Sequence, residues 1–394
     1  MVANHDRVRG QTMSNGDIIV SFSGNYFEAR GKFLSACAAR SLRVESRRNP
    51  HAKGPDGEDL FTDIVQIGPA NPKRALLLIS GTHGVEGYCG SGPQIGFLRE
   101  GRFDDLPPET GIVIVHAINP YGFAHDRRVN EDNIDLNRNF LDWSKPDRPT
   151  SDYGDIQAHV LPNDWDGPAM EAANAALAQY IADHGMPAFQ AAISSGQYEH
   201  KDGVFYGGAA ASWSNTTLRS ILTDYLSDVE TLAIIDFHTG LGPYGICELI
   251  TAGPPRQKEL AAQWWGADVT DPEAGTSSSA ALDGINAMGI AETLPEAKIG
   301  FIAAEYGTRD VPTVLTALRA DNWLYHKGDV DSAQGKRIKA QIRDAFYPEF
   351  DDWKEMIWNR AGQLVDLAID GITQGERAQG ERAQSVQPQE SDIA

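Results

Sequence analysis

The chain has 394 residues, with 34 Lys and Arg against 55 Asp and Glu, a formal net charge of −21. That excess excludes a general nucleic-acid binder, which needs cations to displace phosphate counterions, and it leaves no polybasic handle for an anionic membrane. Apolar residues make up 41% of the chain, enough for a sizeable core, while the longest apolar runs, such as 75–79 and 112–115, fall far short of the ~20 residues that cross a bilayer.

Residues 1–14 are polar and patternless and read as a loose N-terminus; Asn4, His5, Asp6, Arg7 and Arg9 leave no apolar stretch for a secretory signal. Cys37, Cys89 and Cys247 form neither a disulfide framework nor a CxxC clip, which fits a reducing compartment, so the expected location is cytoplasmic. From 15 to 372 short β-type runs alternate with helical patterns. Residues 60–67 and 74–79 read as strands, 92–100 as the start of a helix, 111–118 as a strand and 171–184 as an Ala-rich helix. Residues 231–237 and 299–304 are further buried strands by their β-branched and aromatic content. The alternation predicts one α/β domain over 15–372, with a mixed, mostly parallel sheet and helices on both faces. Residues 324–372 read as helical, with Trp353, Ile357, Leu364 and Leu367 on a packing stripe. The five residues GERAQ occur twice, at 375–379 and 380–384. Segment 373–394 has too little to bury to offset its ordering entropy and is expected to be a disordered polar tail.

Ligands bind beyond the carboxyl ends of strands in sheets of this kind, so the strand ends carry the chemistry. The strand at 74–79 runs into Ser80-Gly81-Thr82-His83-Gly84-Val85-Glu86-Gly87. His83 and Glu86, three apart, share one face of a helical turn and can grip one ion; a phosphate loop is the rival, but the Lys-Ser/Thr ending of a P-loop is absent. The strand at 231–237 delivers His238, and two such histidines with a carboxylate match the His₂Glu set that leaves a zinc position open for water. Glu305 follows the strand at 299–304, where a carboxylate can take a proton from water; its ordinary reading is a cap or a turn salt bridge. Between these lie Asn119-Pro120-Tyr121-Gly122 and the stretch from Arg127-Arg128 to Asp135-Leu136-Asn137-Arg138-Asn139-Phe140. Guanidinium forks bind carboxylates and stabilise oxyanions, whereas Arg127 reads as a surface salt bridge to Asp126, Glu131 or Asp132.

Together these residues resemble the zinc carboxypeptidases of the M14 type, and within them the bacterial group described as DUF2817. The shared pattern is HxxE after a strand, an Asn-Pro-x-Gly turn, an Arg followed by Asp-x-Asn-Arg-Asn-Phe, a lone strand-end His and a final Glu, all in this order, over about residues 15–372. The resemblance implies one zinc ion on His83, Glu86 and His238, with Asp135 accepting the ring N–H of His83. It implies Asn137 and Arg138 as binders of a terminal carboxylate, Arg128 as the group polarising the scissile carbonyl and Glu305 as general base. The implied partner is a peptide or small molecule with a free carboxylate.

Departures from the family set the alternatives. The loop tyrosine of classical carboxypeptidases has no clear counterpart, since Tyr244 is the only Tyr between His238 and Glu305. Glu305-Tyr306-Gly307-Thr308 also resembles the aspartoacylase and succinylglutamate desuccinylase branch, which implies an N-acyl amino acid deacylase. A metal-binding recognition protein without catalysis is the remaining reading. Cys89, Trp264 and Trp265 read as packing residues, and Asn215-Thr216-Thr217 is a glycosylation sequence only in a secreted chain.

Overall fold

The computed structural model describes residues 15–384, with side chains as far as 373; the expected loose start at 1–14 and residues 385–394 of the expected tail lie outside the described residues. Among the described residues, eight strands form one sheet: β1 Val44–Lys53, β2 Asp59–Ile67, β3 Arg74–Ile79, β4 Thr110–His116, β5 Thr231–Thr239, β6 Cys247–Ile250, β7 Val269–Thr270 and β8 Lys298–Tyr306. Their order is β1-β2-β4-β3-β5-β8-β6-β7. The middle, β4-β3-β5-β8, is parallel throughout, whereas β1 with β2, β2 with β4 and β8 with β6 are antiparallel.

The sequence dictates this centre. Strands β3, β4 and β5 are near-continuous apolar runs, which suits strands covered on both faces, and side-chain alternation divides them between two cores. Leu76 and Leu78 point to a core with Phe33, Phe97, Trp264, Trp353 and Leu364. It lies beneath the helices Tyr26–Ala39, Gly87–Glu100, Pro255–Trp265 and Asp351–Gln384. Ala75, Leu77 and Ile79 point the other way, to Leu218, Ile221, Leu222, Ala287 and Ile290, from the helices Trp213–Leu226 and Asn286–Thr293. The domain is thus a mixed α/β sheet with helices on both faces. Among the described residues, no helix is long and apolar enough to cross a membrane.

Three elements differ from expectation. The helix read at 92–100 begins at Gly87. The helical stretch 324–372 is three helices, Val311–Lys327, Ala333–Phe346 and Asp351–Gln384, separated at Gly328 and Pro348, residues that cap and interrupt helices. In the last helix Trp353, Ile357 and Leu364 are buried as expected, joined by Ala361, Val365 and Ala368, but Leu367 is 37% exposed. At 100° per residue it sits roughly 90° around the helix from the middle of that stripe, beyond its rim. The helix continues into the expected tail as far as Gln384.

What positions the site is the adjacency of three parallel strand ends. The loop after β3, His238 in β5 and Glu305 in β8 lie side by side, with His238 and Glu305 as direct register partners. The last helix braces this end: Trp353, fully buried, donates its indole N–H to the carbonyl of Gly307, two residues past Glu305, at 3.0 Å. Trp353→Ala is expected to lower stability by about 3–5 kcal/mol, read from the midpoint of urea unfolding; a loss below 1 kcal/mol would show that the brace is dispensable.

Candidate metal centre

Beyond β3 the chain folds Gly84–Glu86 into a tight 3₁₀ turn, entered from His83 in extended conformation. Three residues per turn bring His83 and Glu86 to one side. The turn is locked from behind by the Asn119-Pro120-Tyr121-Gly122 segment. A Cβ on Gly84 would lie 2.0 Å from the carbonyl carbon of Gly122, so the two backbones touch where no side chain fits. Gly84 N–H donates to the carbonyl of Arg128 at 3.0 Å and Val85 N–H to that of Arg127 at 2.8 Å. The Asn-Pro-x-Gly turn and the arginine segment therefore place the HxxE loop.

His83, Glu86 and His238 are all buried, and their candidate ligand atoms lie within 4.8 Å of one another. His83 Nδ1 is 3.0 Å from Glu86 Oε1 and His238 Nδ1 is 3.0 Å from Glu86 Oε2. Each imidazole turns its other nitrogen to a buried aspartate: His83 Nε2 lies 3.1 Å from Asp135 Oδ1, and His238 Nε2 2.8 Å from Asp236 Oδ2. The Nε2–H of His238, donated to Asp236, leaves that ring's Nδ1 lone pair facing Glu86, whereas His83 Nε2 also lies 2.9 Å from Arg128 Nη2, which can only donate. A proton can bridge His238 Nδ1 to Glu86, and with Asp236 and Glu86 outweighing burial it is held well above the usual histidine range. His83 Nδ1, 3.0 Å from Glu86 Oε1, is buried and makes no well-directed hydrogen bond. Two imidazole nitrogens and a carboxylate gathered within 4.8 Å, one nitrogen without a well-directed hydrogen bond of its own, fit a divalent cation. Glu86 also accepts from Thr239 N–H at 3.1 Å; burial pushes its carboxyl up, but His83, His238 and Arg128 hold it well below the usual range.

The remaining expected residues gather around this point. Arg128 donates from Nε to Asp135 Oδ2 and from Nη1 to Glu86 Oε1, both at 2.9 Å. Burial would raise the Asp135 carboxyl, but Arg128, His83 and Arg138 keep it well below the ordinary range. Glu305 is 8% exposed and accepts from Leu241 N–H at 2.9 Å. Burial, reinforced by the charge of Glu86, pushes its pKa up to about 7 against the opposing pull of His238 and Arg128. Arg138 is buried, with its guanidinium held by the carbonyls of Ser194 and Asn137. Three of its five N–H groups are so used, leaving two. Asn137 Oδ1 accepts from the backbone N–H of Asn286 at 3.1 Å. The ring of Phe205 lies 5.4 Å from the Arg128 guanidinium and 5.3 Å from that of Arg138.

Some of these contacts have no trace in the motif reading. Asp236 could have been found, since residues i and i+2 of a strand share a face and it stands two before His238. Asn286 and Phe205, brought in by loops distant in sequence, could not. Arg127 departs from its surface reading. It is buried, donating to Asp321 Oδ2 at 3.0 Å and Asn133 Oδ1 at 2.9 Å, with Tyr325 stacked on it at 3.7 Å, because the tie of its carbonyl to Val85 sends the side chain towards the helix Val311–Lys327. A cavity of about 220 Å³ lies on that side, lined by Arg127, Asp321 and Lys339 and by none of the residues of the His-Glu-His cluster. The Tyr244 hydroxyl donates to Asp352 at 3.0 Å. Cys89 is buried with its thiol pushed up by burial, in keeping with a packing role, and Trp264 and Trp265 belong to the core. Asn215 is fully buried, its amide donating to the Asn139 carbonyl at 2.8 Å, so it is no glycan acceptor.

The family model described as "Protein of unknown function (DUF2817)" matches residues 22–360. No curated protein matches the chain. Among solved structures the chain is similar to bovine thrombin-activatable fibrinolysis inhibitor in complex with tick carboxypeptidase inhibitor, at 11% identity and a TM-score of 0.45, over 91% of this chain and 99% of the other. It is similar to carboxypeptidase A from Helicoverpa armigera at 12% identity and a TM-score of 0.43, over 88% and 78%. It is similar to a murein-tripeptide amidase from Escherichia coli O157 at 17% identity and a TM-score of 0.35, over 75% and 91%. At such identities the functional reading rests on the site's own residues.

The back-to-back glycines give a direct test of the loop. Gly84→Ala must push the metal loop off the Asn119–Gly122 turn and is expected to lower stability by about 1–3 kcal/mol. Thermal unfolding measures this, and an unchanged melting temperature would mean that the turn does not lock the loop.

Proposed function

We propose that this chain, which belongs to the DUF2817 family, is a zinc-dependent hydrolase of the carboxypeptidase type, cleaving an amide bond beside a terminal carboxylate. The observation that carries the reading is the orphaned Nδ1 of His83 facing Glu86 and His238, with Glu305 on the neighbouring strand. His83, Glu86 and His238 would hold one zinc ion. Bound there, zinc would supply a water acidified to a pKa of about 7 and a Lewis acid for the carbonyl.

The chain's own groups do the rest. Glu305, with a pKa of about 7, is basic enough to take the proton of the attacking water and acidic enough to return it to the leaving nitrogen. Arg128, whose side chain is 16% exposed, turns a remaining N–H towards the carbonyl oxygen as negative charge develops there. The two unused N–H groups of Arg138 and the amide of Asn137 receive the substrate carboxylate, and Asp135 fixes both His83 and Arg128. Burial of all four central side chains, none more than 8% exposed, excludes bulk water and favours a small substrate over the end of a folded protein. That enclosure supports the second reading, a deacylase of N-acyl amino acids, beside the first.

A hydrolysis screen of short peptides and N-acyl amino acids, with and without chelator, separates the two readings, and turnover of acyl amino acids alone removes the peptidase label. Stoichiometric zinc in active protein is expected, with loss of activity in His83→Ala; active protein without metal sinks the proposal. Arg128→Ala is expected to cut turnover by roughly 10²- to 10³-fold. Because Glu305 acts as its carboxylate, kcat/KM should rise with pH up to Glu305's pKa. A cation beside the group lowers that pKa, so the acidic limb should lie at or below about 7 and should vanish in Glu305→Gln along with most of the activity.

A further inference from the structure

Asp236 is fully buried in β5, on the same face as His238 two residues on. Its carboxylate accepts from three groups: His238 Nε2 at 2.8 Å, Thr82 Oγ1 at 2.9 and 3.0 Å, and Asn286 Nδ2 at 2.6 Å. Thr82 immediately precedes His83, so one carboxylate joins the strand carrying one candidate ligand to the loop carrying another. Asn286 begins a helix, and its otherwise unused N-terminal N–H goes to Asn137 Oδ1 at 3.1 Å. A continuous hydrogen-bonded path therefore runs from Asn137 through Asn286 and Asp236 to His238.

Resting on the reading of the site as a zinc centre, we infer that Asp236 is the positioning residue of His238 and that Asn286 couples the metal position to the substrate-carboxylate position at Asn137. Asp236 holds the Nε2–H of His238 and so keeps the Nδ1 lone pair aimed at Glu86 and His83. Asn286 has its amide on Asp236 and its backbone on Asn137, so a shift at either end moves the same rigid residue. Occupation of Asn137 by a substrate carboxylate is thereby felt at His238, although the two residues share no contact in this path.

The test measures zinc affinity of the full chain by competition with a chromophoric chelator, beside circular dichroism and melting of the metal-free protein. Asp236→Ala is expected to weaken zinc roughly 10- to 100-fold. Asp236→Asn, which can keep the hydrogen bonds but not the charge, should fall between it and the parent, and it decides the matter if the alanine variant does not fold. Asn137→Ala touches no candidate ligand, yet it should weaken zinc roughly 3- to 10-fold. In the Asn286→Ala background, where the amide link to Asp236 is already cut, the same substitution should have no further effect. Tight zinc binding in the parent with equal affinity in the Asp236 variants overturns the positioning role. Additive effects of Asn137→Ala and Asn286→Ala overturn the coupling. A parent chain that binds no zinc overturns the zinc-hydrolase reading itself, which is a distinct result.

Discussion

Four carboxyl groups, Glu86, Asp135, Asp236 and Glu305, are buried at one end of the sheet, and the rest of the site follows from how their charge is held. Arg128 and Arg138 are the cations nearest them. Counted as ions, the six groups leave two negative charges in a region shielded from water, which is costly unless compensated. The protein's own answer is protons: His238 holds one well above the usual range, and Glu305 keeps its carboxyl protonated up to about 7. A divalent cation held by His83, Glu86 and His238 would supply the same two charges without either proton and would leave Glu305 free to act as a base.

That arrangement depends on the sheet more than on the loops. His238 and Glu305 are register partners on adjacent parallel strands, so their spacing is set by backbone hydrogen bonding in the most buried part of the molecule. His83 and Glu86 are placed by a turn with almost no side-chain freedom, clamped between Gly122 and the carbonyls of Arg127 and Arg128. The arginine segment thus has a double task. Its backbone shapes the metal loop while the Arg128 side chain enters the site and that of Arg127 leaves it for Asp321.

The strands were legible because their signal is local. Residues 74–79 are β3 to the residue, and 231–237 and 299–304 lie within β5 and β8, since buried parallel strands are written as unbroken apolar runs. The gathering of His83, Glu86, His238 and Glu305 is legible from motifs at strand ends, and that of Arg128 and Asp135 from the family pattern these motifs resemble. The outward turn of Arg127 was not, because its partner Asp321 is 194 residues away. Within the helical stretch 324–372, the apolar periodicity on either side masks the breaks at Gly328 and Pro348, single residues against a long pattern. Leu367 misled for the reverse reason: a leucine beyond the rim of a stripe has the same letter as one at its centre.

Phe205 shows what no motif could carry. It sits with φ +53°, a backbone region rarely adopted outside glycine and unfavourable for an aromatic residue. Such a conformation persists only where surrounding structure over-determines it, and here its ring lies 5.4 Å and 5.3 Å from the Arg128 and Arg138 guanidiniums. Both guanidiniums also flank the Asp135 carboxylate, Arg128 Nε at 2.9 Å and Arg138 Nη1 at 3.9 Å, and the ring offers each an attractive face without adding a further negative charge. Phe205 thus packs both guanidiniums from a loop distant in sequence from either arginine, which is why no motif records it.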